Sequence, residues 1–236
     1  MDKLDYGYGL ILMYLVGGLA GNIYETCLYL VKRRRFVYSN GSVSTPFNFV
    51  YGIGAVAICL GMIWFQNNPF IVFFAGAVLG GAVEYVISFA EEKILHTRSW
   101  NYNYMKFNIN GRTALLPMIV WGALSLLVLY CVYLPLDTFV VQKFFTDTAA
   151  HAEIYHTVLT VIICYCAADL AFTVTTVLRY RQRKDGVPAK IAYERFLDKV
   201  FDDKYMSRHF ENTKFNDNAN NKNDCSSERE LEKTVA

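Results

Sequence analysis

Five apolar blocks divide this chain, and each is long enough to cross a lipid bilayer. A hydrocarbon core of roughly 30 Å requires about 20 mainly apolar residues in a helix. The predicted spans are residues 7–31, 47–65, 69–89, 113–136 and 154–178. The sequence therefore predicts an all-α polytopic membrane helix bundle with about five transmembrane helices.

Composition and charge placement agree with a membrane protein. The chain is 54% hydrophobic and 16% aromatic, which exceeds the usage of ordinary soluble domains. Its charged residues cluster between the apolar blocks and in the last sixty residues. The first block is not a cleavable signal peptide, because it is too long and its basic run, residues 32–35, follows it.

The orientation is predicted from lysine and arginine in the short loops, which are retained on the cytoplasmic side. The basic residues on one side are Lys32, Arg33, Arg34 and Arg35, then Lys93, Arg98, Lys106 and Arg112, then Arg179, Arg181, Arg183 and Lys184. The opposite side carries only Lys3 and Lys143. The N-terminus is expected outside and the C-terminus in the cytoplasm, in a multi-pass protein of the plasma membrane.

The predicted cytoplasmic loop 90–112 separates the third and fourth spans. Its second half, residues 99–112, is polar and aromatic. Trp100, Tyr102 and Tyr104 suit an interfacial aromatic belt. Four asparagines and a glycine instead favour turns with unusual backbone angles, and hence a folded cap against the bundle. The residues leave both interpretations open.

Arg112 stands where this loop meets the fourth span. Its guanidinium stays charged, so a partly buried position requires a carboxylate partner on a neighbouring helix end. Glu92 and Glu84 are the two candidates, since both lie at the end of the third span from which the loop departs.

Three acids lie inside the spans, in their predicted inner halves: Glu25, Glu84 and Asp169. Intramembrane charges are costly and usually face the bundle interior or a water-filled cavity. With Asn22 and Asn48 they form a candidate intramembrane polar path. The alternatives are hydrogen-bonded packing residues, an ion, proton or substrate path, and catalysis.

Glycines spaced by four precede two of these acids and suggest an internal repeat. Gly17 and Gly21 lead to Glu25, as Gly76 and Gly80 lead to Glu84, so each acid shares a stripe on which another helix can approach closely. A basic, aromatic loop, a proline and an aromatic–glycine pair follow each acid. A parallel two-helix repeat with a fifth helix added is one hypothesis.

Several motifs within residues 7–136 resemble one known family. They are the glutamate ending the first span, the stretch PFNFVYG, and the run GGAVEYVISFAEEKILHTRSWNYNYMKFNINGR followed by LLPMIVWG. The chain is similar here to small multi-pass bacterial membrane proteins known as putative ABC-transporter permeases, the putative ABC-transporter type IV family. The matching residues are Glu84, Tyr85, Glu92, Trp100, Tyr102, Phe107, Asn108, Gly111 and Arg112. Asn101 and Phe49 depart from the family pattern, which has aspartate and proline there.

The resemblance implies a membrane component of a transport system whose substrate is not established. The chain has no phosphate-cradling G-x-x-x-x-G-K-[ST] loop, so an ATPase would be a separate subunit. It also lacks H-E-x-x-H and G-x-S-x-G, and its six cysteines form no C-x-x-C pair. We therefore expect no enzyme activity, metal site or cofactor in this chain.

The sequence divides into four parts. Residues 1–136 form the family core, and 137–184 add an outer loop and the fifth span. Residues 185–210 predict an amphipathic helix that lies on the membrane or the cytoplasmic cap, although a partner-docking helix would show the same pattern. Residues 211–236 are polar and are expected to be disordered.

Two functions fit these features. One is a permease-like subunit, in a lipid bilayer with a separate ATPase subunit or as a homo-oligomer. The other is a non-transporting membrane scaffold or regulatory protein that binds a partner through its cytoplasmic loop. Nucleic acid is not an expected partner, since topology explains the basic clusters.

Overall fold

The computed structural model describes residues 3–39, 41–138, 149–211 and 213–215. Most of these residues are helical. The helices are α1 (Lys3–Arg33), α2 (Phe49–Met62), α3 (Pro69–Ala90), α4 (Leu115–Leu126), α5 (Ala149–Lys184), α6 (Ala192–Val200) and α7 (Asp203–His209). Extensions continue three of them: a 3₁₀ turn Ile63–Phe65 after α2, a π-helical turn Glu91–Leu95 after α3, and a π-helical segment Leu127–Tyr133 with a last turn Leu134–Leu136 after α4.

Short strands occur only in loops of the described chain. They are β1 (Thr97–Arg98), β2 (Asn108–Ile109), β3 (Thr113–Ala114) and β4 (Lys214–Phe215). β1 pairs antiparallel with β4, and β2 pairs antiparallel with β3.

The all-α membrane bundle is confirmed. Four helical segments are long and apolar enough to cross a bilayer: Gly9–Val31, Pro69–Leu95, Leu115–Leu136 and Thr157–Lys184. The second predicted span is a shorter apolar helix, Phe49–Phe65, at the lower end of the range of about 17–25 residues for a spanning helix. Lys143 of the orientation argument and residues 216–236 of the predicted disordered tail lie outside the described residues.

Local chemistry explains where two helices begin later than the apolar pattern predicts. α2 starts at Phe49 because Asn48 is its N-cap, with the side-chain oxygen accepting from the Val50 N–H at 3.1 Å. α4 starts at Leu115 because the two preceding residues form β3.

The bundle contains two helix hairpins, α1 with α2 and α3 with α4. A Cβ on Gly21 would clash with the Tyr51 side chain, and one on Gly80 would clash with Trp121 in the same way. One turn earlier, the glycines meet small residues: Gly17 lies against Ala55, and Gly76 against Ser125.

These contacts recur in the second hairpin, with one sequence shift for the first helices and another for the second helices. The first-helix positions differ by 59 (17 and 76, 21 and 80), and the second-helix positions by 70 (51 and 121, 55 and 125). The hairpins therefore pack alike and follow the parallel two-helix repeat. The equivalent rings of Tyr51 and Trp121 stack on each other, with centroids 6.1 Å apart and an interplanar angle of 29°. These two rings mark the contact between the hairpins.

The bundle core includes this contact. Its fully buried side chains include Met13, Ile58, Cys59, Leu129 and Tyr133. Their burial fixes the hairpins against each other, so the polar residues on the same helices are held in set positions.

The last two helices pack against the end of α5. The buried cluster there contains Val43, Val177, Tyr180, Leu197, Phe201, Met206 and Phe210. Arg179 binds both carboxylate oxygens of Asp198, at 2.9 and 2.8 Å, and this hydrogen bonding lowers the pKa of Asp198 to about 2. On α6, Tyr193, Phe196 and Val200 are exposed, which fits either a helix at the membrane surface or a partner-docking helix.

Candidate functional site

Glu25 on α1 binds the loop that follows its own helix. Its carboxylate accepts hydrogen bonds from the Ser39 hydroxyl at 2.5 Å and from the Asn48 amide at 2.8 Å, and a third from Tyr29 at 3.3 Å. Asn48 is buried and also caps α2. One asparagine therefore connects the intramembrane acid to the first turn of the next helix.

Glu84 on α3 binds the second loop in a similar way. The Tyr102 hydroxyl donates to one oxygen and the Thr113 hydroxyl to the other, both at 2.9 Å. Glu84 is only 7% exposed. Burial, with the nearby Glu84 carboxylate, raises the pKa of Tyr102, so its phenol stays protonated and remains a donor.

Glu25 and Glu84 occupy equivalent positions of the repeat, 59 residues apart. Each carboxylate is held by donors from the loop that connects its two helices. Tyr51 and Trp121 stack where the two hairpins meet, and each acid lies one turn beyond the glycine that packs on one of these rings. The two acids therefore lie beside the hairpin interface, at the loop ends of α1 and α3.

Asp169 reaches the first loop from α5. Its carboxylate accepts from Ser42 at 2.8 Å, Ser44 at 2.5 Å and Thr45 at 3.1 Å, and it is 8% exposed. The first loop is thus bound to two intramembrane acids on different helices, through Ser39 and Asn48 to Glu25 and through Ser42, Ser44 and Thr45 to Asp169. This arrangement fastens α5 to the first hairpin.

The predicted polar-path residues are not all brought together. Glu25 and Asn48 are in direct contact. Asn22 lies on the wall of a cavity next to the first loop. Asp169 binds that loop from the other side, whereas Glu84 binds the second loop.

Arg112 closes the second loop onto α3. Of the two predicted partners, the structure selects Glu92, whose carboxylate lies 2.7 Å from the guanidinium; the Glu84 oxygens accept from Tyr102 and Thr113 instead. The same guanidinium donates to the Ser88 carbonyl at 3.0 Å. Its side chain is 9% exposed.

The remaining predicted loop residues hold the loop's own backbone. Trp100 donates from its indole to the Arg112 carbonyl at 2.8 Å. The Asn108 side chain donates to the Met105 carbonyl and accepts from the Gly111 N–H. Gly111 has φ +67° and no room for a Cβ beside the Asn103 amide. The loop is therefore a folded cap, from which Phe107 projects with 78% exposure.

Some site residues were not anticipated from the sequence. They are the hydroxyls of the first loop, at Ser39, Ser42, Ser44 and Thr45, and two side chains of α7, Tyr205 and His209, which contact that loop. The hydroxyl-rich run SNGSVST, which starts four residues after the basic run 32–35, was the available signal. The α7 contacts join residues more than 160 positions apart and left no local pattern.

One comparison with known proteins gave a match. The family model described as putative ABC-transporter type IV matches residues 12–174. The match runs beyond residues 7–136, where the quoted motifs lie, and includes much of α5. No curated protein and no solved structure matched the chain.

Proposed function

Because this membrane protein belongs to the putative ABC-transporter type IV family, we propose that it acts as a permease-like subunit of a transport system in the bacterial plasma membrane. The observation that carries the proposal is the pair of equivalent acids, Glu25 and Glu84, beside the interface between two hairpins that run in the same direction. Transporters built from such repeats place their substrate and ion sites at the repeat interface.

The proposed path runs along the interface between the two hairpins. Its polar groups are Glu25 with Asn48 on one side and Glu84 on the other, and Tyr51 stands between them. Asp169 and Asn22 lie beside the path, at the first loop. The two loops close its inner end, and their hydrogen bonds to the acids link any loop movement to the helix hairpins.

A separate ATPase subunit is part of this proposal. The chain has no phosphate-binding loop of its own, so ATP hydrolysis is assigned to another polypeptide. The predicted cytoplasmic face contains both loops and helices α6 and α7. We assign the docking of the ATPase to this face.

A second candidate function is a non-transporting membrane scaffold. It is favoured by one specific observation: hydroxyl and amide donors already hold the carboxylates of Glu25, Glu84 and Asp169. In a scaffold these bonds would only position the loops for a partner.

Purification of the tagged chain from its native membranes in mild detergent tests the transport proposal. We expect an ATP-binding subunit to co-elute and the complex to hydrolyse ATP in liposomes. Glu25→Gln and Glu84→Gln should each reduce this hydrolysis by roughly tenfold, since each removes a charge from the coupled site. Asn67→Ala, a change at an exposed residue in the turn between α2 and α3, away from the proposed docking face, is the control and should leave it unchanged.

The outcome separates the two functions. A complex whose ATP hydrolysis is insensitive to both glutamine variants would favour the scaffold. A chain that elutes without any ATP-hydrolysing subunit would contradict the proposed transport system.

A further inference from the structure

Helix α6 leaves one apolar edge exposed beside the end of α5. Tyr193, Phe196 and Val200 are spaced by three and four residues, so they share an edge of the helix, and they are 42%, 51% and 48% exposed. Leu197, which is 1% exposed, instead points into the buried cluster with α5. The apolar edge is therefore separate from the face that packs α6 onto the bundle.

The charged residues of α6 lie on two other edges. Glu194 and Asp198, four residues apart, lie on the edge opposite the apolar one. Arg195 and Lys199, also four apart, point away from Leu197 and border the apolar edge. Both basic residues are exposed, and neither forms an ion pair with any residue that the structure describes. Two cations therefore stand beside the apolar edge with their charge uncompensated by the protein.

Two contacts with α5 fix the rotation of α6 about its own axis. The hydroxyls of Tyr193 and Thr175 share a hydrogen bond at 2.9 Å, and Thr175 lies inside the predicted apolar span 154–178. On the opposite edge of α6, Asp198 accepts from Arg183 at 2.7 Å, and Arg183 lies beyond that span. At 1.5 Å per residue, these two positions of α5 are about 12 Å apart along the helix. The apolar edge of α6 therefore faces the span, and its acidic edge faces the end of α5.

Both ends of α6 contact the apolar part of α5. Tyr193 does so near the N-terminal end, through Thr175. At the C-terminal end, the Phe201 ring packs on Phe172 with the centroids 5.5 Å apart, and Phe172 also lies inside the predicted span. The helix thus lies across α5, at the level where the apolar span gives way to the basic residues that begin at Arg179. In a bilayer this is the level of the headgroups.

We infer that α6 is an interfacial helix that binds anionic lipid at this membrane surface. Its apolar edge, Tyr193, Phe196 and Val200, lies against the acyl chains, and Arg195 and Lys199 bind the lipid phosphates. A helix whose apolar edge is bordered by basic residues binds anionic membranes through both buried apolar area and charge. A protein partner would have to dock on an edge that faces the bilayer, so the geometry favours the lipid surface. The inference does not rest on the proposed transport function.

Fluorescence quenching by lipids in nanodiscs tests the position of the apolar edge. The full-length chain, in a cysteine-free background, carries a nitrobenzoxadiazole label at Phe196→Cys in equal parts of phosphatidylcholine and phosphatidylglycerol. A nitroxide on the lipid acyl chains should quench this label. Asp185→Cys, at an exposed residue in the turn after α5, is the matched control, and its label should be quenched by aqueous iodide instead.

Placing the nitroxide on one lipid or the other measures the charge preference. At position 196, nitroxide-labelled phosphatidylglycerol should associate roughly fivefold or more tightly than labelled phosphatidylcholine, because one basic residue near an anionic surface contributes about this factor. Arg195→Gln and Lys199→Gln should each reduce the preference and together remove it. Both residues are exposed, so the thermal midpoint should stay nearly unchanged. Lys106→Gln, which removes one exposed charge from the second loop, is the matched control and should keep the preference.

Each outcome decides the inference. Quenching by acyl-chain nitroxide at position 196, with a phosphatidylglycerol preference that depends on Arg195 and Lys199, would support it. Quenching at position 196 by iodide and not by lipid would assign the edge to a protein partner and overturn it. Equal association of the two lipids, or a preference that survives the loss of both basic side chains, would also overturn it. No ATPase subunit takes part in this experiment, so its result is independent of the transport proposal.

Discussion

Glu92→Gln should destabilise the protein far more than its partly exposed position suggests. Glu92 is 29% exposed, but it is the carboxylate that neutralises Arg112, whose side chain is 9% exposed. Removing one partner of a buried pair costs about 3–5 kcal/mol, because the other charge is left uncompensated. The Ser88 carbonyl still accepts from Arg112, so we expect the lower end, about 3 kcal/mol.

Thermal unfolding of the purified protein in detergent measures this effect. For a chain of this size, about 3 kcal/mol corresponds to a fall in the thermal midpoint of roughly 6–12 °C. Arg98→Gln is the matched control, because Arg98 binds the same Glu92 oxygen at 2.8 Å but is 23% exposed; surface pairs contribute about 0–1 kcal/mol. If Glu92→Gln lowered the midpoint no more than Arg98→Gln does, the buried-pair reasoning would be refuted.

Three further predictions concern packing, pH and topology. Gly80→Ala should cost about 1–3 kcal/mol because its Cβ would clash with Trp121, whereas Gly7→Ala, which has nothing within 4 Å, should be neutral in the same thermal assay. The pKa of Asp198, about 2 against 3.8, gives a stability contribution that is complete above pH 3.8 and is lost as the pH falls toward 2. After allowance for solvent exposure it amounts to about 1–2 kcal/mol. Hydrogen exchange measures it: the protection of the α6 amides should fall as the pH falls through that range, and Asp198→Asn should remove this pH dependence. Reporter fusions after Arg35 and at the C-terminus should report cytoplasm and one near Asn67 the outside; a C-terminus found outside would contradict the predicted orientation.

The membrane helices could be predicted because their signal is local. An apolar run of sufficient length identifies a span wherever its partners lie, and the glycine spacing before Glu25 and Glu84 indicated both contact faces. Helix starts were less predictable, because hydrogen bonding overrides hydropathy there. Asn48 caps the start of α2, so the helix begins at Phe49, inside the apolar run, and the pairing of β3 with β2 delays α4.

The partners of the buried polar groups were predictable only in part. Arg112 required a carboxylate, and proximity along the chain left two candidates. The choice of Glu92 depended on Tyr102 and Thr113, which occupy both oxygens of Glu84. The three hydroxyls on Asp169 lie more than 120 residues away in the sequence, so no periodicity could connect them.

The accessibility of positions 25 and 84 to water tests the proposed path most directly. In a cysteine-free background reconstituted in liposomes, Glu25→Cys and Glu84→Cys are treated with a charged, membrane-impermeant thiol reagent. Phe74→Cys on the same helix as Glu84 is the control, because Phe74 is 66% exposed on the apolar surface of the bundle and a thiol in lipid does not ionise. A path along the hairpin interface predicts that positions 25 and 84 react at least roughly tenfold faster than position 74. Equal rates at all three positions, with labelling only by a lipid-soluble reagent, would contradict it.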